Sequence, residues 1–144
     1  PARGPVEGVF GPLRAGRERG VVPPRAGGPC ADVDEAANGF LRAEGLGHYL
    51  LHRTGHGFGL GNHEGPWVAA GSDDVLAPNM LVSVEPGIYI PGVGGFRHSD
   101  TVLITEDGYE SLTRSPVTLD ELVILDRKQL ARLKGALVRR AVGV

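Results

Sequence analysis

The stretch HRTGHGFGLGNHEGPW, residues 52–67, carries three of the chain's five histidines together with five glycines. His52 and His56 are four residues apart, a spacing that shares one face of a helix. Gly55, Gly57, Gly59 and Gly61 argue against a helix, since each interior glycine costs about 1 kcal/mol relative to alanine. In an extended strand the side-chain period is two, so residues four apart again share a face. The stretch therefore reads as a strand followed by a glycine turn that folds His63 back toward the other two. Glu64 follows His63, but no second histidine comes at the spacing of the helical H-E-x-x-H zinc signature. Two readings stay open here. One is metal or acid–base chemistry, for which histidine's near-neutral pKa suits it. The other is a set of histidines hydrogen-bonded within a polar loop.

Downstream, SVEPGIYIPGVGGFRHSD (residues 83–100) puts Glu85 in an otherwise apolar strand. A charge buried there needs a partner. Pro86 and Gly87 end the strand just past the carboxylate. A strand-end carboxylate facing histidines is a reasonable oxygen ligand for a divalent metal; the alternative is an ion pair with Arg97 across the sheet.

Working outward, residues 5–19 carry Val6, Val9, Phe10 and Leu13 at helical spacing, weakened by Gly8, Gly11 and Pro12. Residues 21–29 read as a linker, and residues 30–44 as an amphipathic helix stopped by Gly45 and Gly47. Residues 80–90 and 96–105 are apolar and β-branched, bounded by Gly and Pro, as strands are. Asp107-Gly108 predicts a hairpin turn into a short strand over 109–113, and residues 119–125 are expected to extend the sheet. Residues 126–140 predict a terminal helix whose basic residues form a solvated face. Helices, then antiparallel strands, then a closing helix is an α+β layout.

Composition bounds the rest. A chain of 144 residues with 41% hydrophobic content suits one domain with a real core. A net charge of −2 gives no electrostatic reason for a nucleic-acid or membrane partner, and no apolar run reaches the roughly 20 residues of a bilayer span. The lone Cys30 excludes an internal disulfide and suits a reducing compartment, so a cytoplasmic location is expected. Cys30 itself reads as a small residue tucked near a helix start.

HRTGHGFGLGNHE and VEPGIYIPGVGGFRHSDTVLIT, in that order and about 20 residues apart, closely resemble the pita-bread metallopeptidases: prolidase, Xaa-Pro aminopeptidase and their relatives. The resemblance implies a pita-bread fold and cleavage of the bond before proline by a metal-activated water. By resemblance, His56 and Glu85 match metal ligands. His52 lies beside the active centre, His63 binds substrate and stabilises the tetrahedral intermediate, and Arg97 supports the site. Mn or Co is the expected kind of divalent ion. The substrate is a proline-containing peptide or other small amide, and the intact protein is expected to be a homodimer.

The chain departs from that family's pattern twice. Two aspartates expected on earlier strands have no match, since residues 1–44 hold only Asp32 and Asp34, both in the predicted helix. The expectation is a partial pita-bread domain lacking its N-terminal part, with an unpaired sheet edge, so that the chain is either part of a larger structure or depends on a partner for stability. In the family's R-x-E-D, the glutamate is a bridging ligand; here Arg97-His98-Ser99-Asp100 puts a neutral serine in its place. Strand parity sets Arg97 and Ser99 on one face and His98 and Asp100 on the other, so Asp100 replaces the glutamate only through a bulge. Weak metal binding and no Xaa-Pro cleavage are expected of the 144 residues alone. Two alternatives follow from the missing ligand: a metal-free, creatinase-type amidinohydrolase using His52, His56 or His63 as acid–base groups, and a non-catalytic peptide- or partner-binding module.

Overall fold

The computed structural model describes residues 4–21 and 24–122. Helix α1 spans Gly4–Val21, longer than its sequence pattern suggested and continuous through Gly8, Gly11 and Pro12. Tertiary packing offsets the poor propensity, because Val9 and Leu13 are buried against the rest of the molecule. Its glycines also have a packing use. A Cβ on Gly20 would lie 2.8 Å from the Cβ of Ala37, so the bare backbone lets α1 approach its neighbour closely.

That neighbour is the helical stretch predicted over 30–44. It comprises α2 (Cys30–Asp34), a π-helical turn (Glu35–Gly39) and α3 (Phe40–Ala43). Cys30 opens it fully buried, and burial, reinforced by the nearby Asp74 charge, pushes its thiol up to about 11. A short 3₁₀ turn, Gly47–Tyr49, leads into the histidine segment.

The strands form two antiparallel sheets. The larger holds β1 (Gly55–Phe58), β2 (Glu64–Val68), β3 (Leu81–Val84), β6 (Asp100–Ile104) and β7 (Tyr109–Ser111), in the order β2-β1-β3-β6-β7. The smaller is a ribbon of β4 (Gly87–Ile90) and β5 (Gly94–Arg97). The single strands expected over 80–90 and 96–105 are thus each cut in two. Pro86 has no N–H to continue the ladder, and the opposite break falls at His98 and Ser99. Val84 pairs with Asp100 and Gly87 with Arg97, so the register is the same on both sides of the break. This sets Glu85 opposite Ser99.

The β6–β7 hairpin turns at Asp107-Gly108 as expected, with the Thr105 N–H donating to the Gly108 carbonyl at 3.0 Å, and β7 is shorter than the strand read over 109–113. The expectation that residues 119–125 extend the sheet is corrected for 119–122, which form the single helical turn α4 (Leu119–Leu122). The cause is a capping box: the Thr118 hydroxyl accepts from the Glu121 N–H, and the Glu121 carboxylate accepts from the Thr118 N–H. Residues 123–125 and the helix read over 126–140 lie outside the described residues.

Two apolar clusters hold the α+β layers together. Cys30, Val33, Val68, Leu76, Val82, Val84, Val102 and Ile104 pack helix against the large sheet. Val9, Leu13, Leu41 and Ile88 join α1 and α3 to the ribbon. Between the two lies the double break at Glu85 and Ser99. No helix among the described residues is long and apolar enough to cross a membrane.

Candidate functional site

Where the chain passes from large sheet to ribbon, a cavity of about 440 Å³ opens, lined by His52, Arg53, His56, His63, Glu85 and Arg97. The sequence places its chemistry-bearing residues here because both hairpin arms break at the same level. Side chains just past the break face each other without a ladder between them.

Glu85 is at the centre. Its Oε1 lies 3.1 Å from His56 Nε2 and accepts from the Ser83 hydroxyl at 3.3 Å. Its Oε2 accepts from the Ser99 hydroxyl at 3.3 Å and faces Arg97 Nη1 at 3.7 Å. Glu85 therefore faces a histidine and also pairs, loosely, with Arg97, the ion pair that the sequence offered as the alternative to metal ligation. The backbone is fixed as firmly, since the Glu85 N–H donates to the Thr54 carbonyl at 2.7 Å.

His56 is buried at the start of β1. Its N–H donates to the Ser83 hydroxyl at 3.0 Å, and its Nδ1 lies 2.9 Å from the Gly57 carbonyl, which can only accept. A proton on Nδ1 leaves a lone pair on Nε2, aimed at the carboxylate of Glu85. Two acceptors 3.1 Å apart require a proton or a cation shared between them.

His52 precedes β1 in an irregular segment, so the shared face predicted by strand periodicity is not how it joins His56. It is held instead by its own contacts: Nδ1 donates to the Arg53 carbonyl at 2.7 Å and Nε2 accepts from the Tyr89 hydroxyl at 2.9 Å. His63 is brought back by the glycine turn as expected. Glu64 closes that turn by accepting from the Gly61 N–H at 2.7 Å, and the His63 ring stands 4.1 Å from that of His56.

The second departure from the family pattern also has a geometric answer. Asp100 does not reach the site. It is buried and forms a bidentate pair with Arg17 of α1. His98 lies buried beside that pair, and burial, helped by the Arg17 charge, lowers its pKa. Ser99 is on the Glu85 side, as strand parity required. For a divalent metal, His56 and Glu85 present converging lone pairs, but two protein donors fall short of a stable set. Among the described residues no group of three or more His, Cys, Asp or Glu is placed to hold an ion. The described residues do not fit a metal pair by themselves.

Sequence reading passed over several supports of this site. Asp34 is 1% exposed and accepts from the Thr54 N–H and hydroxyl at 3.2 and 2.7 Å, pinning the loop between His52 and His56. Its signal was an acid at helical spacing with Ala37, Asn38 and Leu41, on the face that packs inward. Ser83 and Tyr89 carried no comparable signal, since a hydroxyl in a strand is unremarkable until its partner is known.

The profile of metallopeptidase family M24 matches residues 13–106. The probable dipeptidase PepE of Mycobacterium tuberculosis is 48% identical over 101 residues, which cover 70% of this chain and 26% of the relative. Among solved structures, the dipeptidase PepE of Mycobacterium ulcerans superposes with a TM-score of 0.77 at 40% identity, over 81% of this chain and 31% of that one. The Xaa-Pro dipeptidase of Bacillus anthracis gives 0.76 at 41% identity, over 78% and 32%. The chain spans about a quarter of the length of the curated relatives it matches. Its fold is the pita-bread arrangement of these neighbours. Profile, relatives and architecture agree: the chain belongs to metallopeptidase family M24.

Proposed function

We propose that the chain carries one wall of the active site of an Xaa-Pro peptidase-type metallohydrolase acting on small proline-containing peptides. It would be the C-terminal part of a pita-bread catalytic domain, whose two-aspartate motif lies outside these 144 residues. The observation that carries this reading is the convergence of His56 Nε2 and Glu85 Oε1, 3.1 Å apart, in a cavity also lined by His52 and His63. In this reading His56 and Glu85 are the ligand pair. Their donor types suit Mn or Co in a site completed by further carboxylates. Arg97 and Ser83 hold the Glu85 carboxylate in place. His63, exposed at the lip against His56, is positioned to hold a substrate carbonyl oxygen as it gains negative charge. His52, clamped by Tyr89, keeps the wall beside the centre rigid. A cytoplasmic homodimer is the setting proposed for the whole protein.

Ser99 favours a second reading. A hydroxyl stands where the family's bridging carboxylate is expected, and it already donates to Glu85. That arrangement supports a metal-free amidinohydrolase-type site or a non-catalytic peptide-binding pocket. The two are separated by proline release from Ala-Pro in the presence of Mn²⁺, using the longest natural polypeptide that carries this sequence. His56→Ala is expected to lower kcat/KM by at least about 100-fold, the upper end of what outer-shell metal partners cost. Ser99→Glu is expected to raise it. Absence of Mn²⁺-dependent proline release in the wild type, or a loss in Ser99→Glu, would favour the metal-free readings, and unchanged activity in His56→Ala would remove His56 from the ligand pair.

A further inference from the structure

We propose that Arg17 of α1 is a positioning residue: by clamping Asp100 it keeps that carboxylate out of the cavity and holds Ser99 toward Glu85. This rests on the peptidase reading, whose ligand Glu85 it serves.

The β3–β6 ladder stops at the pair Val84–Asp100, and the ribbon ladder begins at Gly87–Arg97. Between these pairs neither Glu85 and Pro86 on one arm nor His98 and Ser99 on the other takes part in a ladder. An interruption of this kind readily takes up an extra residue as a bulge, and a shift of one residue turns side chains to the opposite face. Such a shift would carry Asp100 toward Glu85 and Ser99 away from it. Backbone pairing opposes the shift only outside the break, so side chains must supply the remaining restraint.

Arg17 supplies it. Both oxygens of Asp100 accept from its single guanidinium, Oδ2 from Nε and Oδ1 from Nη2 at 2.9 Å. The Asp100 side chain is 0% exposed and that of Arg17 14%. Turning Asp100 into the cavity would strand a buried guanidinium without its counter-ion, a far greater loss than that of a surface pair. The planar fork also fixes the direction of the carboxylate, which an ammonium point charge does not. Helix α1 is seated over this point: a Cβ on Gly20 would lie 3.0 Å from Cγ1 of Val84, the register partner of Asp100. Arg17 comes three residues before Gly20, on the same helical face. With Asp100 held on the α1 side, the Ser99 hydroxyl donates to Glu85 Oε2 at 3.3 Å. A helix that does not itself line the cavity thus decides which residue of the break does.

The test is calorimetric titration of the longest natural polypeptide carrying this sequence with Mn²⁺, measuring how far Ser99→Glu tightens binding when Arg17 is kept, changed to Lys or changed to Met. With Arg17 in place the added carboxylate faces Glu85 and is expected to tighten Mn²⁺ at least about 10-fold. The gain is expected to fall below about threefold in Arg17→Met, and to be intermediate in Arg17→Lys, which keeps the charge but not the fork. Leu13→Ala, which removes a buried side chain of the same helix from the core under the ribbon, is expected to lower the urea midpoint and leave the gain intact. If Arg17→Met does not fold, Arg17→Lys decides. An undiminished gain in every folded Arg17 variant, or an equal erosion in Leu13→Ala, overturns the role of Arg17 and leaves the peptidase reading standing. No tightening by Ser99→Glu with Arg17 in place overturns both.

Discussion

The Asp34 carboxylate accepts four hydrogen bonds while almost fully buried: two from Thr54, one from Asn38 at 3.1 Å and one from Arg42 at 3.4 Å. Thr54 in turn accepts from the Glu85 N–H, so one side chain of α2 sets both sides of the histidine–glutamate pair. Replacing Asp34 by Ala strands the buried Thr54 donors. Arg42 is 43% exposed and can turn to water, so its lost contact adds little. The expected cost is about 2–4 kcal/mol in urea unfolding, from unsatisfied buried donors. A change below about 0.5 kcal/mol, the scale of an ordinary surface substitution, would contradict the anchoring role. At this scale the sequence identified the groups whose chemistry is intrinsic, such as His56 and Glu85. Asp34 stayed hidden as one more acid in a helix, because its importance lies in Thr54, twenty residues away.

Gly55 opens β1 at a point where a Cβ would fall 1.9 Å from the Ser83 carbonyl oxygen. That oxygen belongs to the backbone of β3 and cannot move aside without spreading the sheet beside Glu85. Gly55→Ala is therefore expected to cost about 3 kcal/mol, the upper end of overpacking penalties. Gly108→Ala, with open space at its Cβ position, should stay within about 0.5 kcal/mol. Comparable urea midpoints for the two variants would show that β1 and β3 are not so closely apposed. Element types were largely legible in the pattern: α1, the 30–44 helix and the Asp107-Gly108 hairpin all appear where periodicity and turn chemistry put them. The split of 80–90 between two sheets was signalled by Pro86, but the matching break at His98 and Ser99 carries no breaker residue and follows only from pairing. Residues 119–122 misled because the reading rested on the whole apolar, β-branched run LDELVIL, while the local Thr118–Glu121 box decides for a helical turn.

On the scale of the molecule, two cores flank the double break, one under the large sheet and one under the ribbon, and the site sits between them. This arrangement gives a rigid histidine wall without requiring the site to be complete. The protein's own donors converge as a pair, His56 and Glu85, and Asp100 is committed to Arg17 instead. Fold and family could be read from the order of the motifs, and strand parity gave the facing of Ser99 and Asp100; that Arg17 of α1 holds Asp100 could not be read, because it depends on how α1 packs. The central claim is that this pair is the part of a divalent-metal hydrolase site that the chain supplies, short of a full set. Titrating the 144-residue chain with Mn²⁺ by calorimetry tests it directly. The account predicts weak, non-stoichiometric binding that His56→Ala removes. Tight stoichiometric binding, or weak binding indifferent to His56→Ala, would contradict it.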